Sequence, residues 1–355
     1  MTVETTSETH ATTTPSGHGP EQILQMATGY WVSKTLYTGL ELGVFEVLNE
    51  QPRSPRELAE ALDLPYDSTT RLLTALAALG LVEPQNERFS NTQATAAFLV
   101  KTSPDYMAGM FDHFNHDLYP LWRHLSDAVR QGTSRWQQAF GPDANPNPFE
   151  TIYRDPAALR GFMRAMDSLV MPVALELRDR MDFSPYRCLL DIGGAWGTLP
   201  LVLQERYPEL RAIIFDLPPV GPVAEEHIAA SGASGRIAVR TGDMFADPLP
   251  READLITLGW ILHDWDDQRS EHLLRRCCEA LPSGGHILLL EMVLDEDRTG
   301  PLFPALMNLN MLVATVGGRE RTASEFRVLL EKAGFTDVRV QRMHGPRDSI
   351  TARKP

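Results

Sequence analysis

The chain has 355 residues, of which 43% are hydrophobic and 23% are charged. This composition is typical of an ordinary globular protein long enough for two or three domains, and it excludes a single small module. The formal net charge of −14 opposes binding to nucleic acid, because that affinity comes largely from Lys and Arg neutralising phosphates. We therefore expect a small-molecule or protein partner and no nucleic acid.

Residues 1–20 are rich in Thr, Ser, Gly and Pro, which predicts a disordered tail without the features of a secretory signal. The densest apolar stretches are far shorter than the roughly 20 residues that span a bilayer, so we expect a soluble protein that does not enter a membrane. The cysteines Cys188, Cys277 and Cys278 cannot form a disulfide framework. These features favour a cytoplasmic location.

Residues 21–105 predict an α-helical dimerisation domain that contains a winged helix-turn-helix. Over residues 21–49, apolar and aromatic side chains recur at steps of three and four, as in one amphipathic helix or two. Their apolar face is interpreted either as a core stripe or as a subunit interface. Residues 54–99 then carry two capped helices and a short hairpin, and the second helix offers only Arg71 as a strong DNA contact. A scaffold or dimerisation role is therefore favoured over DNA binding.

Residues 106–180 predict a helical linker that contributes to a substrate pocket. The stretch 110–125 is rich in aromatic side chains and carries His113, His116 and His124. We interpret these histidines as pocket-wall or core residues and predict no metal site. The side chains that suggest a broad, flat aromatic pocket are Trp31, Phe111, Phe114, Tyr119, Trp122, Met163, Met166, Met307 and Met311.

Residues 181–355 predict an α/β domain, because candidate strands alternate with helical stretches. Such an alternation is typical of a Rossmann-like, doubly wound parallel sheet with right-handed crossovers. The last two strands are joined by a Gly-Pro turn, and this end hairpin adds an antiparallel strand. The candidate strands are 188–194, 212–216, 237–243, 253–262, 285–294, 337–343 and 348–353.

A glycine turn, "GGAWG" at 193–197, follows the first of these strands. In a doubly wound sheet the ligand lies beyond the carboxyl ends of the strands, and this turn is the usual anchor. Asp216 ends the second strand, where a carboxylate can accept from both hydroxyls of a ribose. Asp243 ends the third, followed by a thioether and an aromatic ring that suit adenine. S-adenosylmethionine (SAM) fits better than NAD, since the turn is shorter than G-x-G-x-x-G and no diphosphate-binding run follows.

The fourth strand is followed by "LHDWDD", in which His263 is placed to remove a proton from a substrate hydroxyl. A neutral imidazole with a pKa of about 6.5 is the usual base near neutral pH. Glu291 ends the fifth strand, and Glu320 lies just before a later helix. Either carboxylate could hold the ring through its other nitrogen and stabilise the imidazolium that forms.

The motifs "LDIGGAWG", "FDLP", "GDMF", "LHDWDD", "LLLLEMVLDED" and "GGRERTASEF" follow one another behind the helical region. In that order they resemble the class I small-molecule O-methyltransferases of the caffeate and acetylserotonin type, over about residues 21–353. The resemblance implies methylation of a phenolic hydroxyl of a small aromatic metabolite, with His263 as general base and in-line transfer from SAM. It also implies a homodimer whose N-terminal helices interlock, so that each subunit lines the other's substrate pocket.

The residues to which we assign roles fall into three groups. The cofactor-binding residues that the resemblance implies, from the methionine end to the adenine end, are Gly193, Gly194, Asp216, Asp243, Met244 and Trp265. The catalytic residues are His263, Glu291 and Glu320. The substrate-pocket residues are Phe162 and Met166, from the resemblance, together with Met307 and Met311.

Two positions depart from the family's pattern. Ala195, with Trp196 behind it, replaces a glycine, and alanine is tolerable there if its φ is negative. Gly259 stands where a lysine or other long polar side chain often reaches the cofactor. An alternative is therefore a methyltransferase-fold enzyme repurposed for hydroxylation, decarboxylation or a pericyclic reaction with SAM bound. The presence of His263, Glu291 and Glu320 argues for methyl transfer over that alternative. A ligand-sensing regulator built on the winged helix is a further alternative.

Overall fold

The computed structural model describes residues 19–103, 105–145, 153, 155–345 and 347–355. Apart from its last two residues, the predicted tail at 1–20 lies outside this range. The chain divides into two compact units, Met1–Val100 and Lys101–Pro355. The finer division of the second unit at residue 180 stays a prediction.

The first unit consists of helices around a short antiparallel hairpin. Its core contains Phe45, Leu58 and Leu76, all fully buried. The helix–helix–hairpin order predicted for 54–99 is present, and the winged-helix assignment itself stays a prediction. The elements are α1 (Pro20–Glu41), α2 (Val44–Glu50), α3 (Pro55–Ala61), α4 (Tyr66–Ala78), β1 (Val82–Gln85), β2 (Arg88–Asn91) and α5 (Gln93–Phe98).

One face of α1 remains exposed although it is apolar. Ile23, Leu24 and Met26 are about 60% exposed, as are Tyr30 and Trp31, whose rings meet edge to face. Large aromatic and aliphatic side chains left in water at this density are typical of a protein interface. Of the two interpretations of this segment, the subunit interface is therefore favoured over the core stripe.

The second unit begins with the predicted helical region. A π-helical turn at Phe114–Leu118 interrupts its first part, and Leu121 and Trp136 pack with Val313 in a small core of their own. The helices are α6 (Ala108–His113), α7 (Tyr119–Trp122), α8 (Leu125–Gln131), α9 (Trp136–Phe140) and α10 (Pro156–Arg180).

The rest of the second unit is a seven-stranded mixed sheet with helices between its strands. The strands are β3 (Cys188–Ile192), β4 (Arg211–Asp216), β5 (Ile237–Thr241), β6 (Leu255–Gly259), β7 (His286–Glu291), β10 (Thr336–Gln341) and β11 (Asp348–Arg353). A separate short pair is β8 (Val293–Leu294) and β9 (Arg321–Thr322). The helices are α11 (Thr198–Arg206), α12 (Gly221–Ala230), α13 (Asp267–Ala280), α14 (Leu302–Ala314) and α15 (Ala323–Lys332).

The strand order is β10-β11-β7-β6-β3-β4-β5, which confirms the doubly wound sheet. The order reverses at β3, whose residues are buried throughout because helices cover both faces. The glycine turn after β3 therefore lies at the switch point, where such sheets bind ligands. The last strand, β11, is antiparallel as expected, but it is inserted between β7 and β10 and so is not the edge strand. None of the helices in the described ranges combines the length and apolar character needed to cross a bilayer.

Asp254 fastens the amino ends of the central strands, away from the glycine turn. Its carboxylate accepts hydrogen bonds from the backbone N–H groups of Arg187 and Cys188 at 3.0–3.1 Å. Substitution Asp254→Ala leaves those N–H groups without this acceptor, and we expect it to destabilise the fold by about 1–3 kcal/mol. Urea unfolding followed by tryptophan fluorescence measures the loss. Asp63→Asn, on the exposed surface of the first unit, is the control, and an unchanged midpoint for Asp254→Ala would contradict the assignment.

Candidate active site

A cavity of about 490 Å³ opens at the carboxyl edge of the sheet, within the second unit. It brings together eleven of the thirteen residues predicted for the site, while Glu291 and Glu320 lie buried behind His263. The predicted residues that line the cavity are Phe162, Met166, Gly193, Gly194, Asp216, Asp243, Met244, His263, Trp265, Met307 and Met311. Among the other pocket candidates, Phe114 and Met163 line it, Phe111, Tyr119 and Trp122 do not, and Trp31 is exposed in the first unit.

The glycine turn is held against the neighbouring strand ends. Gly193 has φ +69°, and its N–H donates to the carbonyl of Phe215 at 2.8 Å. A Cβ on Gly193 would collide with the Ile261 side chain, and the positive φ also favours glycine there. Alanine was expected to be tolerable at position 195 if its φ is negative, but Ala195 has φ +50°. Its left-handed backbone is strained, and the N–H that it presents donates to Asp216 at 2.9 Å.

Trp196 packs against the helix that follows β4. Its indole stacks on the His227 ring of α12, with centroids 4.7 Å apart and planes 11° from parallel. The ring also lines the cavity, and among the described residues its buried Nε1 has no hydrogen-bond partner. The tryptophan therefore forms part of the wall and leaves one buried donor available to a ligand.

Asp216 carries a carboxylate prepared for further hydrogen bonds. Oδ2 accepts from Ala195 N–H and Oδ1 accepts from Leu217 N–H at 2.7 Å, which leaves each oxygen a free lone pair. Burial raises the pKa of Asp216 to about 6, and the two N–H groups oppose that rise. The group is therefore mainly ionised at neutral pH.

At the far end of the cavity, an aromatic corner surrounds Asp243. The Asp243 carboxylate accepts from Phe245 N–H at 2.8 Å. The rings of Phe245 and Trp265 meet edge to face at 4.9 Å, and the guanidinium of Arg269 lies over Trp265 at 4.7 Å from its centroid. With Met244 beside them, these groups form a slot suited to a flat heterocycle.

The two predicted partners of His263 perform different tasks. The Nδ1 atom of His263 lies 2.9 Å from Oε1 of Glu320, so Glu320 holds the ring. Oε1 of Glu291 instead accepts from the backbone N–H groups of Ile261 and Leu262, at 3.1 and 2.8 Å, and fixes the start of the histidine segment. Pairing of β8 with β9 brings Glu320 next to the end of β7 although the two acids are distant in sequence.

Arg321 fixes the other side of this segment. Its fully buried guanidinium donates to the carbonyls of Leu262 and Trp265, both at 2.8 Å, and to the hydroxyl of Ser270 at 3.1 Å. It also donates to the carbonyl of Arg319 at 3.4 Å and forms an ion pair with Asp267 at 2.9 Å. The position of His263 is thus set by buried charges that act on the backbone at both ends.

The charges around His263 correct the expectation of a neutral imidazole with an ordinary pKa. Burial alone would lower the pKa of His263, but Asp264, Glu320 and Glu291 outweigh it and raise the pKa to about 9. Burial raises the pKa of Glu291 to about 7 and that of Asp264 to about 6, against the opposing effect of His263. Without substrate, the ring therefore carries a proton at neutral pH.

His263, Glu291 and Glu320 present ligand-type atoms that all lie within 4.8 Å of one another. Hydrogen bonds account for this arrangement, since Nδ1 contacts Glu320 and Oε1 of Glu291 accepts two backbone N–H groups. The prediction of no metal is therefore retained. His113 lines the cavity and contacts Asp117 at 2.7 Å, as expected of a pocket-wall histidine.

Sequence reasoning missed several polar residues of the site. Asn310 on α14 faces the cavity and accepts from the indole N–H of Trp122 at 2.8 Å. Arg321 and Arg347 are charged yet almost fully buried, and Arg347 lines the cavity. The signal for Arg321 was its place within "GGRERTASEF", whereas nothing in the local sequence marked Arg347.

An open sheet with a glycine turn, acids at successive strand ends and a buried His–Glu pair defines an enzyme that binds a nucleoside cofactor and moves a proton. Residues 122–336 match the model of the O-methyltransferase domain family, and residues 24–101 match the O-methyltransferase dimerisation domain. The chain therefore belongs to the SAM-dependent small-molecule O-methyltransferase family, and it is an enzyme with SAM as its cofactor.

Similarity to individual relatives extends over nearly the whole chain. Acetylserotonin O-methyltransferase of Bos taurus is 38% identical, over 95% of this chain and 99% of the relative. The 3-hydroxy-5-methyl-1-naphthoate 3-O-methyltransferase of Streptomyces sahachiroi is 37% identical, with 94% of each chain covered. The crystal structure of human N-acetylserotonin methyltransferase in complex with SAM superimposes with a TM-score of 0.88 at 34% identity, over 96% of this chain and 99% of that one.

The raised pKa of His263 predicts an alkaline pH dependence. A base must be unprotonated to accept a proton, so kcat/KM should rise with pH, reach half of its maximum near pH 9 and level off above it. Glu320→Gln removes a negative neighbour that favours the imidazolium, so its rising limb should move to lower pH. The pH–rate profile measures both, with exposed Glu331→Gln as the control. A limb that stays in place in Glu320→Gln would contradict the role given to Glu320.

The left-handed conformation of Ala195 predicts that glycine is preferred there. Ala195→Gly relieves steric strain of about 1 kcal/mol, and we expect a more stable protein with a higher melting temperature. Binding of S-adenosylhomocysteine should be retained, since the backbone N–H to Asp216 is unchanged. Calorimetric unfolding and titration of the two proteins side by side test this. A less stable Ala195→Gly variant would show that the alanine methyl packs favourably.

Proposed function

We propose that this enzyme methylates a hydroxyl, most simply a phenolic one, on a small aromatic metabolite. The observation that carries the proposal is the His263–Glu320 pair at 2.9 Å, buried against a cavity whose acceptor side is apolar and aromatic. The acetylserotonin and naphthoate relatives are named for aromatic acceptors, which supports the same class here. Retention of the pair favours methyl transfer over the repurposed-fold alternative.

The polar groups of the cavity support one orientation of the cofactor. Asp216, with a free lone pair on each oxygen, would hold the ribose hydroxyls, and the slot of Asp243, Met244 and Trp265 would hold adenine. The glycine turn at Gly193 and Gly194 would then face the methionine part. When bound, SAM supplies an electrophilic methyl group on a sulfonium. The acids around the cavity favour that positive charge.

The acceptor would lie on the side of His263 that faces away from the proposed cofactor site. Phe162 and Met166 of α10 and Met307 and Met311 of α14 line this part, and their flat or flexible apolar groups suit an aromatic ring. Asn310 adds a polar group to this wall. Apolar walls also exclude water, which strengthens the charge interactions inside.

His263 takes the acceptor's proton at Nε2, because Nδ1 is engaged by Glu320. Glu320 then stabilises the imidazolium, while Glu291 and Arg321 keep the histidine segment in place. A base whose pKa is raised to about 9 is well matched to a phenol, for which a pKa of about 10 is ordinary. General-base assistance of this kind contributes typically about 10² to 10⁴ in rate.

We further propose that the dimerisation domain forms a homodimer through α1. Its exposed apolar residues, among them Leu24, Tyr30 and Trp31, supply the surface that a second copy would cover. Contribution of one subunit to the other's substrate pocket remains part of this proposal.

The buried free thiols of Cys188, Cys277 and Cys278 support the proposed cytoplasmic location, where thiols stay reduced.

Titration calorimetry and product analysis test the proposal together. S-adenosylhomocysteine should bind wild type and His263→Gln alike, whereas Asp216→Asn should weaken binding strongly because half of its acceptor capacity is lost. A panel of hydroxyaryl compounds, analysed by mass spectrometry, should give products heavier by one methylene with wild type. His263→Gln should lower that rate by about 10² or more.

The matched controls are exposed His344→Gln and Asp63→Asn, which should leave both readouts near wild type. Full activity of His263→Gln would remove the general-base assignment. Conversion of an acceptor without methyl transfer would instead favour the repurposed-fold alternative.

A further inference from the structure

Arg347 is a buried cation that the proposed mechanism does not use. It stands immediately before β11, is 1% exposed and lines the cavity. Within the described part of the chain, no residue forms an ion pair or hydrogen bond with its guanidinium, and its Nε is buried without a partner. An unpaired guanidinium in such a place is costly, and the usual compensation is an anionic ligand.

The indole of Trp260 fixes the guanidinium in place. The Arg347 Cζ atom lies 3.9 Å from the centroid of the Trp260 ring, a cation–π contact. That same ring stacks with the imidazole of His263, at 5.7 Å between centroids. Trp260 has φ +54°, a strained conformation that large residues rarely adopt. Arg347 and His263 are therefore both in ring contact with one strained tryptophan.

Arg347 also uses space that Gly259 leaves open. A Cβ on Gly259 would lie 3.5 Å from the Nη1 atom of Arg347, so a long side chain at 259 would compete for the volume that the guanidinium occupies. Gly259, which departs from the family's pattern, therefore faces the guanidinium of Arg347, a residue from another part of the fold. The long polar side chain that the family often has at the end of β6 is absent here, and a cation from the end of the β10–β11 connection lies beside that position instead.

Gly259, which borders Arg347, follows the part of β6 that pairs with β3, so this cation lies at the end of the cavity nearest the glycine turn. Asp191, a buried residue of β3, interacts electrostatically with Arg347, and Arg347 interacts with Glu291 and Glu320 as well. Burial lowers the pKa of Arg347 to about 10, while these acids keep it charged at neutral pH. The other guanidinium among the lining residues, Arg269, stacks on Trp265 at the opposite, adenine-type end.

We propose that Arg347 binds the carboxylate of the cofactor's amino-acid end and so takes over the task that Gly259 cannot perform. SAM carries this carboxylate at the end of the amino-acid chain that is attached to the sulfonium, and the glycine turn near Arg347 is where that end would lie. The planar guanidinium offers paired N–H donors that suit a carboxylate. Trp260 holds the donor plane and separates it from His263. The proposal rests on the cofactor orientation proposed above.

The test compares two ligands that differ in the amino-acid end. S-adenosylhomocysteine carries the carboxylate, whereas 5′-methylthioadenosine shares the adenosine and the thioether but lacks it. Arg347→Met keeps an unbranched apolar stem and removes the charged end of the side chain. Calorimetric titration should show S-adenosylhomocysteine binding weakened about 10- to 100-fold in this variant, with 5′-methylthioadenosine binding unchanged. Arg347→Lys, which keeps the charge but not the fork, should lie between the two proteins.

Each other pattern overturns the proposal. Unchanged binding of S-adenosylhomocysteine to Arg347→Met, with a raised KM for a carboxylate-bearing acceptor, would assign the guanidinium to the acceptor. Equal weakening of both ligands would assign it to the architecture of the cavity, and Arg347→Lys decides the matter if Arg347→Met unfolds. Wild-type protein that binds neither ligand would instead contradict the proposed cofactor site as a whole, so the failure of that proposal is distinguishable from the failure of the Arg347 assignment.

Discussion

The segment that carries His263 is held from both sides by buried charges. At its start, Glu291 accepts the N–H groups of Ile261 and Leu262, and at its end Arg321 donates to the carbonyls of Leu262 and Trp265. Backbone groups held in this way cannot shift without leaving a buried charge unpaired, which is costly. The placement of the base, its contact with Glu320 and the stacking of Trp260 all depend on this anchoring.

The same edge of the sheet holds several carboxyl groups that are buried. Asp191, Asp216 and Glu291 all have raised pKa values because burial disfavours their charged forms. His263 and Arg347 offset part of that cost as cations. An edge with this balance is less stable than an apolar one, but it is suited to a cationic cofactor and to a proton that leaves one group for another.

The two departures in sequence acquire different meanings in the structure. Ala195 is strained, yet its N–H still supports Asp216, so the turn keeps its contact with the neighbouring strand. Gly259 leaves a space beside which the Arg347 guanidinium lies, so a residue distant in sequence occupies the region that a long side chain at 259 would use. A departure from a motif therefore says little about a site until the neighbours of that position are known.

The sequence by itself determined the helical first unit, the alternating strands of the sheet and the acids and histidine at the strand ends, because periodicity and strand-end position are local properties. Only the tertiary structure decided that β11 inserts inside the sheet, that Glu320 rather than Glu291 holds His263, and that the imidazole pKa is raised. Those outcomes depend on β8–β9 pairing and on burial. Both arise from contacts between residues distant in sequence, which no local pattern encodes.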